Sequence, residues 1–369
     1  MITPYDIITS ALFPAALILV GYAFTFILRF SLIRIDRFLM SVTIGTFLVV
    51  FPGTIIGMFD GILSCFYRVL TIILVLMGLA IFGFHVYRGR RIKISLSLLS
   101  KKGVFAICSL IAFFFYAVKV FSVLSIRPIN DGDALYFWIS MAKVFFVKGS
   151  IPFFDDVHFW NFNAEPGVSL LYMWTYSLIG SCRSEAFRLL PAPFILSYPL
   201  LVYTISSDLF RNSRIALISM ILACFVPMVD ILTYLYAYYP DFFAATFVLV
   251  AIHFALRTVA EDNGVKEWMI GLPIALSLLF KYAFGIIGAS IILLILLQNV
   301  SAQGFRAHLF RALALATVLA AAAVAANELH SFLSNPFAIY TLVVMGLIVL
   351  LASRTAEPHP HSARWTLQK

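Results

Sequence analysis

The sequence is poor in charged residues. Only 12% of its 369 residues are Asp, Glu, Lys or Arg, whereas 62% are hydrophobic and the mean hydropathy is +1.01. Soluble domains carry roughly 25% charged residues, so this composition excludes a soluble globular protein. It indicates an all-α polytopic membrane protein instead.

The sequence also lacks the patterns of several other protein classes. The cysteines are too far apart to predict a disulfide framework or a cysteine metal site; they are Cys65, Cys108, Cys182 and Cys224. The net charge of +9 is scattered over short loops and forms no basic stripe, which argues against a nucleic-acid partner. No cleavable signal is evident, because the first apolar run is long and has no basic segment before it.

What the sequence does contain is a series of long apolar runs. A helix needs about 17 to 25 apolar residues to cross the hydrocarbon core. Runs of this kind predict about eleven spans, of which two, 268–282 and 283–298, are short. The predicted spans are 7–28, 38–58, 62–86, 103–125, 187–207, 215–235, 241–257, 268–282, 283–298, 309–328 and 335–352. Residues 268–282 and 283–298 meet at Lys281 and Tyr282, where we expect a hairpin.

The basic residues predict which loops face the cytoplasm. Short loops rich in Lys and Arg stay inside, and such loops follow the first and third predicted spans. We therefore expect a multi-pass protein of the cytoplasmic membrane, with the segment after residue 125 on the outer side. The apolar run 167–180 is too short to span, so we interpret it as an interfacial helix on the outer face.

These predictions divide the chain into segments. Residues 1–102 form additional N-terminal transmembrane helices, 103–300 form a core with an outer loop at 126–186, and 301–353 form the last helices. Residues 354–369 form a polar tail, which we expect to be cytoplasmic and disordered. A loop of about 60 residues in a compact protein is usually functional.

Three stretches carry the chemistry that the sequence suggests. The first, DGDALYFWISMAKVFFVKGSIP, places Asp131 and Asp133 just beyond the fourth span. The second, NAEPGVSLLYMWTYSLIGSCRSEAFRLLPAPFIL, contains Glu165 and Arg188. The third, YAYYPDFFAATFVLVAIHFAL, is followed by GLPIALSLLFKYAFGII, and these contain Tyr239, Asp241 and Lys281.

Together the three stretches resemble the GT-C superfamily of membrane glycosyltransferases. They are similar in particular to the dolichyl-phosphate-mannose protein mannosyltransferases and the lipid A aminoarabinose transferases. The resemblance covers roughly residues 103–300. It implies a GT-C-like fold whose first outer loop is catalytic, and an enzyme that transfers a sugar from a polyprenyl-phosphate donor to an outer acceptor, which is a glycan, a lipid or a protein.

The resemblance also implies roles for single residues. Asp133 matches the family's catalytic Asp best and Asp131 is a close second, although either would also serve as the N-cap of the following helix. The general base would give one-step displacement with inversion at the anomeric carbon.

The remaining candidates are assigned to the donor, and each has a plainer interpretation. Asp241 and Tyr239 suit sugar binding, but Asp241 also complements a helix dipole. Lys281 suits the lipid phosphate, or only extends to the interface. Glu165 and Arg188 are weaker candidates for substrate binding, and Arg188 could pair with Glu185. Arg68, within the third span, is expected to extend to the interface and receives no role.

No cofactor is firmly predicted. Asp155, Asp156 and His158, with Asp131 and Asp133, could supply oxygen-rich ligands to a divalent cation. Their spacing is not diagnostic, and the mannosyltransferase-like group is generally not metal-dependent, so we do not favour a metal.

Two other functions fit a multi-span protein with a long outer loop. A polymerase or ligase of lipid-linked glycans would share this organisation, but the outer loop is sparse in the arginines and histidine expected of one. A transporter or flippase would place charges on broken helices near the midplane and often shows inverted repeats. Neither feature is evident in the sequence.

Overall fold

The structure is a computed structural model. It describes residues 4–27, 34–57, 59, 61–87, 97–126, 129, 134–151, 166–225, 237–259, 268–281, 283–285 and 288–290. The regular structure of these residues is helical throughout. The predicted spans 309–328 and 335–352 and the tail 354–369 lie outside them.

The helices follow the apolar runs of the sequence. The longer ones are α1 (Pro4–Ile27), α2 (Arg34–Ile56), α3 (Leu63–Tyr87), α4 (Ser97–Ile126), α5 (Ser140–Lys148), α6 (Gly167–Ile179), α7 (Ala192–Phe210), α8 (Ser213–Phe225), α9 (Pro240–Val259) and α10 (Trp268–Phe280). A π-helix, Ala134–Ile139, leads into α5, and a 3₁₀ turn, Ser184–Phe187, precedes α7.

Part of the predicted membrane topology is confirmed. Within the described residues, 6 helices are long and apolar enough to cross a membrane, namely α1 to α4, α7 with its preceding turn, and α9. The apolar helices α6, α8 and α10 are shorter. The multi-span, all-helical class is therefore as predicted, while the described residues do not establish a count of eleven.

Contacts between helix ends define two ends of the bundle. We call the end where α9 begins and α10 finishes the Lys281 end, and the end where α9 finishes the Arg257 end. Arg188, just before α7, donates to the carbonyl of Ser125 near the end of α4 at 3.2 Å. Its own carbonyl accepts from Tyr238, just before α9, which places both residues at the Lys281 end.

Burial separates central helices from peripheral ones. In α2 and α7 67% of the apolar window is buried within the protein, compared with 17% in α3 and 28% in α4. The exposed residues of α3 and α4 are large and apolar, such as Leu76 and Phe114. Such faces suit contact with lipid, since hydrocarbon solvates them without penalty.

A buried ionic network joins α2, α7 and α9 at the Arg257 end. Asp36 of α2 contacts His253 Nε2 at 2.9 Å through Oδ1, and accepts a hydrogen bond from Arg257 through Oδ2. Asp208 Oδ2 of α7 lies 3.1 Å from His253 Nδ1. The side chains of Asp36 and His253 are each 2% exposed. We call these four residues the ionic network; its opposed charges offset the cost of burying each one.

The helix α6 lies deep inside the protein. Every residue from Gly167 to Ser177 is buried. Its partners include the first turns of α3 and the residues that flank α9 and α10 at the Lys281 end. With 13 residues it is one of the shorter apolar helices, as α8 and α10 are, and protein covers it from Gly167 to Ser177. That it is an interfacial helix and not a span stays a prediction.

The link between α2 and α3 packs against the end of α5. Gly149 ends α5 with φ 70°, and an added Cβ there would lie 2.8 Å from the Cα of Gly61. Backbone hydrogen bonds run from Leu63 N–H to Gly149 O at 2.8 Å and from Ile151 N–H to Gly57 O at 2.6 Å. Glycine is required at 149 because the left-handed φ and the close contact both exclude a side chain.

The chain reverses direction after α10. An added Cβ on Gly285 would meet Leu278 at 2.4 Å, and one on Gly288 would meet Ile274 at 3.2 Å. Residues that follow Lys281 therefore lie beside residues that precede it, in antiparallel order. This reversal agrees with the hairpin predicted at Lys281 and Tyr282.

Candidate functional site

Two of the predicted substrate-binding residues lie together at the Lys281 end. Pro240 is the first residue of α9 and Asp241 the second, a position where proline removes no helical hydrogen bond. Lys281 directly follows α10, at the tip of the hairpin. Its Nζ lies 3.8 Å from Asp241 Oδ1.

This pair is open and weakly held. The side chains of Lys281 and Asp241 are 35% and 39% exposed, and 3.8 Å is long for a hydrogen bond. Exposed ion pairs contribute about 0–1 kcal/mol to stability. The arrangement thus offers an accessible ammonium beside a carboxylate that also faces the positive end of the α9 dipole.

A chain of hydrogen bonds holds the segment that leads into Asp241. The Tyr172 hydroxyl of α6 donates to the carbonyl of Tyr238 at 2.8 Å, and the Tyr238 hydroxyl donates to the carbonyl of Arg188 at 3.2 Å. Phe187 stacks on Tyr172 with a centroid separation of 4.2 Å. The backbone just before α9 is therefore fixed by α6 and by the turn before α7.

Arg188 takes part in this series of hydrogen bonds and is buried. It is 8% exposed, and its Nη1 donates to the carbonyl of Ser125. Burial raises the pKa of the Tyr238 hydroxyl, while the nearby Arg188 guanidinium acts in the opposite direction. Tyr238 is thus a neutral hydrogen-bond donor at physiological pH, and the contacts of Arg188 tie α4 to α7.

The residues that follow the predicted catalytic aspartates pack directly on α6. Ser169 Oγ donates to the carbonyl of Trp138 in the π-helix at 3.0 Å. Ser140 Oγ donates to Leu135 O at 2.8 Å, within the segment where the helix changes from π to α geometry. Short π-helical segments are frequent at functional sites.

Several predicted site residues lie outside the described residues. They are Asp131, Asp133 and Glu165, together with the possible cation ligands Asp155, Asp156 and His158. Tyr239 is described; it is half-buried in the bend between Tyr238 and Pro240. The structure therefore brings Asp241 and Lys281 together. Tyr239 is adjacent in sequence to Pro240, and Arg188 is buried and contacts Tyr238.

The described residues contain no group of three or more His, Cys, Asp or Glu side chains placed to hold a metal ion. What they do offer at the Lys281 end is a cation, a carboxylate and an aromatic neighbour. Such a set can bind an anionic group and an adjacent polyhydroxyl group, since an ammonium pairs with phosphate and a carboxylate accepts hydroxyl protons.

Sequence reasoning missed the residues that organise this end. Tyr172 and Tyr238 act through backbone carbonyls, and such contacts leave no pattern in a sequence. It also missed the ionic network at the Arg257 end. The spacing of His253 and Arg257, four residues apart on one face of α9, was the available signal.

The comparison with protein families gives a match. Residues 164–327 match the family model described as dolichyl-phosphate-mannose-protein mannosyltransferase. The matched range contains Arg188, Asp241 and Lys281, and it begins after Asp131 and Asp133. No match was found among curated proteins or among solved structures. The family match confirms the resemblance to the GT-C membrane glycosyltransferases, and it supports a multi-pass membrane transferase.

Proposed function

We propose that this protein transfers a sugar from a polyprenyl-phosphate donor to a hydroxyl of a cell-envelope glycan, lipid or protein outside the cytoplasmic membrane. The observation that carries the proposal is the open pair of Lys281 and Asp241 at a hairpin tip. This pair lies within residues that match a family named for transfer of mannose from dolichyl phosphate to protein.

Lys281 is the residue we assign to the donor phosphate. Its ammonium is accessible, and its ion pair within the described residues is the weak contact with Asp241, which an entering phosphate can replace. As the bond to the sugar breaks, negative charge increases on the phosphate oxygen that leaves. A cation fixed at that place stabilises this charge.

Asp241 and Tyr239 are assigned to the sugar. The Asp241 carboxylate can accept hydrogen bonds from sugar hydroxyls, and the ring of Tyr239 can cover an apolar face of a pyranose. Glu165 is retained as a further candidate for binding the substrate. Arg188, being buried, is assigned to supporting the site through Ser125 and Tyr238.

The proposed reaction is one displacement. Asp133, with Asp131 as the alternative, accepts the proton of the acceptor hydroxyl while the oxygen forms a bond to the anomeric carbon. The bond from that carbon to the phosphate oxygen breaks, and its electron pair leaves with the polyprenyl phosphate. This displacement is complete without a metal, and it inverts the configuration at the anomeric carbon.

The test is sugar transfer from a panel of radiolabelled polyprenyl-phosphate monosaccharides by membranes that contain the protein. We expect the wild type to transfer from one donor and Asp133→Asn to lose at least 100-fold of the rate, a typical general-base contribution. If Asp133→Asn keeps full activity while Asp131→Asn loses it, the base is Asp131. No transfer by the correctly inserted wild type from any donor would contradict the proposal.

Lys281→Ala tests the phosphate contact separately. We expect a lower kcat/KM for the donor, by about 10- to 100-fold, with the acceptor KM unchanged. Lys148→Ala is the matched control, because Lys148 is an exposed lysine at the end of α5. Equal losses for donor and acceptor would contradict the assignment of Lys281.

The side of the membrane on which the site lies can be tested with single cysteines, introduced after the four native cysteines have been replaced. Tyr136 is 75% exposed in the π-helix, and Arg211 is exposed just after α7, at the other end of the bundle. We expect Tyr136→Cys to react with an impermeant maleimide only from outside and Arg211→Cys only from inside. The reverse result would place the Lys281 end in the cytoplasm.

A further inference from the structure

Arg68 is a charged residue inside a helix of the membrane-spanning type. It lies within the apolar window Leu63–Ile81 of α3 and outside the part of the chain that matches the family. An ionisable residue within a membrane helix is costly unless it has a partner that uses it. Its partner in the structure is the end of α6.

The contact is directed at the backbone of α6. Arg68 Nε donates to the carbonyl of Ser177 at 2.7 Å. Ser177 lies in the last turn of α6, where carbonyls have no partner within the helix and carry the negative end of the helix dipole. Gly180 ends the helix with φ 77° and its N–H satisfies Tyr176 O, so the helix cap and Arg68 bind different carbonyls.

Two more contacts join the same faces of α3 and α6. Ser64 Oγ lies 3.3 Å from Ser177 Oγ, and Trp174 Nε1 donates to Thr71 Oγ1 at 2.7 Å. The ring of Phe13 in α1 packs edge-on against Trp174 at 5.5 Å. The second half of α6 is therefore held by α1 and α3, and Arg68 adds a charged group to these contacts.

The first half of α6 is joined to the candidate site. Gly167 lies against α10 so closely that an added Cβ would be 2.8 Å from Leu279 O and 2.9 Å from the Phe280 ring, directly before Lys281. Tyr172 binds the carbonyl of Tyr238, three residues before Asp241. One short helix thus touches the backbone next to both members of the pair.

We propose that Arg68 is a positioning residue: by binding the last turn of α6, it fixes the helix that sets the separation of Lys281 and Asp241. The residues before the family match are then part of the working enzyme. The role in catalysis rests on the proposed transferase function, whereas the role in placing α6 does not.

The placement of α6 can be measured without any substrate. In a chain whose four native cysteines are replaced, Ser64→Cys with Ser177→Cys gives a pair whose parent hydroxyls are 3.3 Å apart. We expect rapid disulfide formation with Arg68 present, at least 10-fold slower formation with Arg68→Ala, and an intermediate rate with Arg68→Lys, which keeps the charge but loses the planar donor geometry.

Kinetics then test the effect on the site. We expect Arg68→Ala to lower donor kcat/KM by about 10- to 100-fold, as a displacement of about 1 Å does, with the acceptor KM unchanged and partial rescue by Arg68→Lys. Arg214→Ala is the control, because Arg214 is an exposed arginine at the start of α8. A folded Arg68→Ala variant with unchanged cross-linking and kinetics would overturn the proposal.

The two measurements separate the two claims. If the wild type transfers from no donor, the proposed function fails and the cross-linking rate alone decides whether Arg68 places α6. If cross-linking slows while donor kinetics are unchanged, α6 moves without affecting the site, and the positioning role is overturned. Size-exclusion profiles in detergent identify variants that do not fold, and Arg68→Lys then provides the comparison.

Discussion

Carboxylates form ion pairs at both ends of α9, but their surroundings are opposite. At the Lys281 end, Asp241 and Lys281 are more than a third exposed and 3.8 Å apart. At the Arg257 end, Asp36 and His253 are 2% exposed and in close contact, with Arg257 and Asp208 beside them. The same helix thus takes part in a loose, accessible pair and in a buried ionic network.

The difference indicates which end is built for stability and which for a ligand. A buried charge that loses its partner costs about 3–5 kcal/mol, whereas an exposed pair contributes about 0–1 kcal/mol. The ionic network can hold α2, α7 and α9 in one arrangement. The Lys281 pair costs little to open, which suits a site whose cation must exchange a carboxylate for a phosphate.

The strongest test of this comparison is Asp36→Asn. The change leaves Arg257 and His253 without their buried carboxylate, and we expect the free energy of unfolding to fall by about 3–5 kcal/mol. Unfolding in detergent, followed by thermal or denaturant titration, measures it. Asp208→Asn should cost less, since Asp208 is 27% exposed. Equal stability of Asp36→Asn and the wild type would show that the network is not structural.

Gly167→Ala probes the contact between α6 and α10. The new methyl group would lie 2.8 Å from Leu279 O, so one helix must shift, at a cost of about 1–3 kcal/mol. Because Lys281 follows this contact, donor kinetics should also fall. Gly83→Ala is the control, since its Cβ would meet nothing within 4 Å. Identical results for the two variants would show that the close contact at Gly167 has no effect on stability or donor use.

Trp174→Phe removes the hydrogen bond to Thr71 but retains an aromatic ring. We expect a loss of about 0.5–1.5 kcal/mol in the free energy of unfolding. A double-mutant cycle with Thr71→Val isolates the interaction, because the second change should cost less once the first has been made. Strict additivity would mean that the two side chains do not interact in the folded protein.

The smallest effect on stability is expected for Lys281→Ala. Loss of an exposed pair should change the free energy of unfolding by less than about 1 kcal/mol, although the same variant should lose most of its use of the donor. Asp241→Asn should behave in the same way. A large loss of stability in either would mean that the pair is structural, and the contrast between the two ends of α9 would fail.

Much of the architecture could be predicted from the sequence because its signals are local. Long apolar runs predicted the long helices, and the short run at 167–180 is a short helix in the structure. Alternation of spans placed Asp241 and Lys281 at the same end. The hairpin at Lys281 followed from two short runs that meet there, and the contacts of Gly285 and Gly288 agree with it.

The rest could not be predicted because it depends on contacts between distant segments. Arg68 looked like an isolated arginine that extends to the interface, and only packing brings it to Ser177. Asp36, Asp208 and His253 lie in three separate parts of the sequence, so nothing local indicated that they meet. Arg188 was predicted to bind substrate, and its burial against Ser125 was not evident from its neighbours.

The contact between Arg68 and Ser177 also bears on how the chain is assembled in the membrane. The two residues are 109 positions apart. At about 5–20 residues per second, α3 is made roughly 5–20 s before α6 is complete. During that interval the guanidinium must be accommodated by water, lipid headgroups or an insertion factor. Arrival of α6 would then give the guanidinium a backbone carbonyl to bind, although the side chain stays exposed, so completion of α6 becomes the step that fixes α3 in its final place.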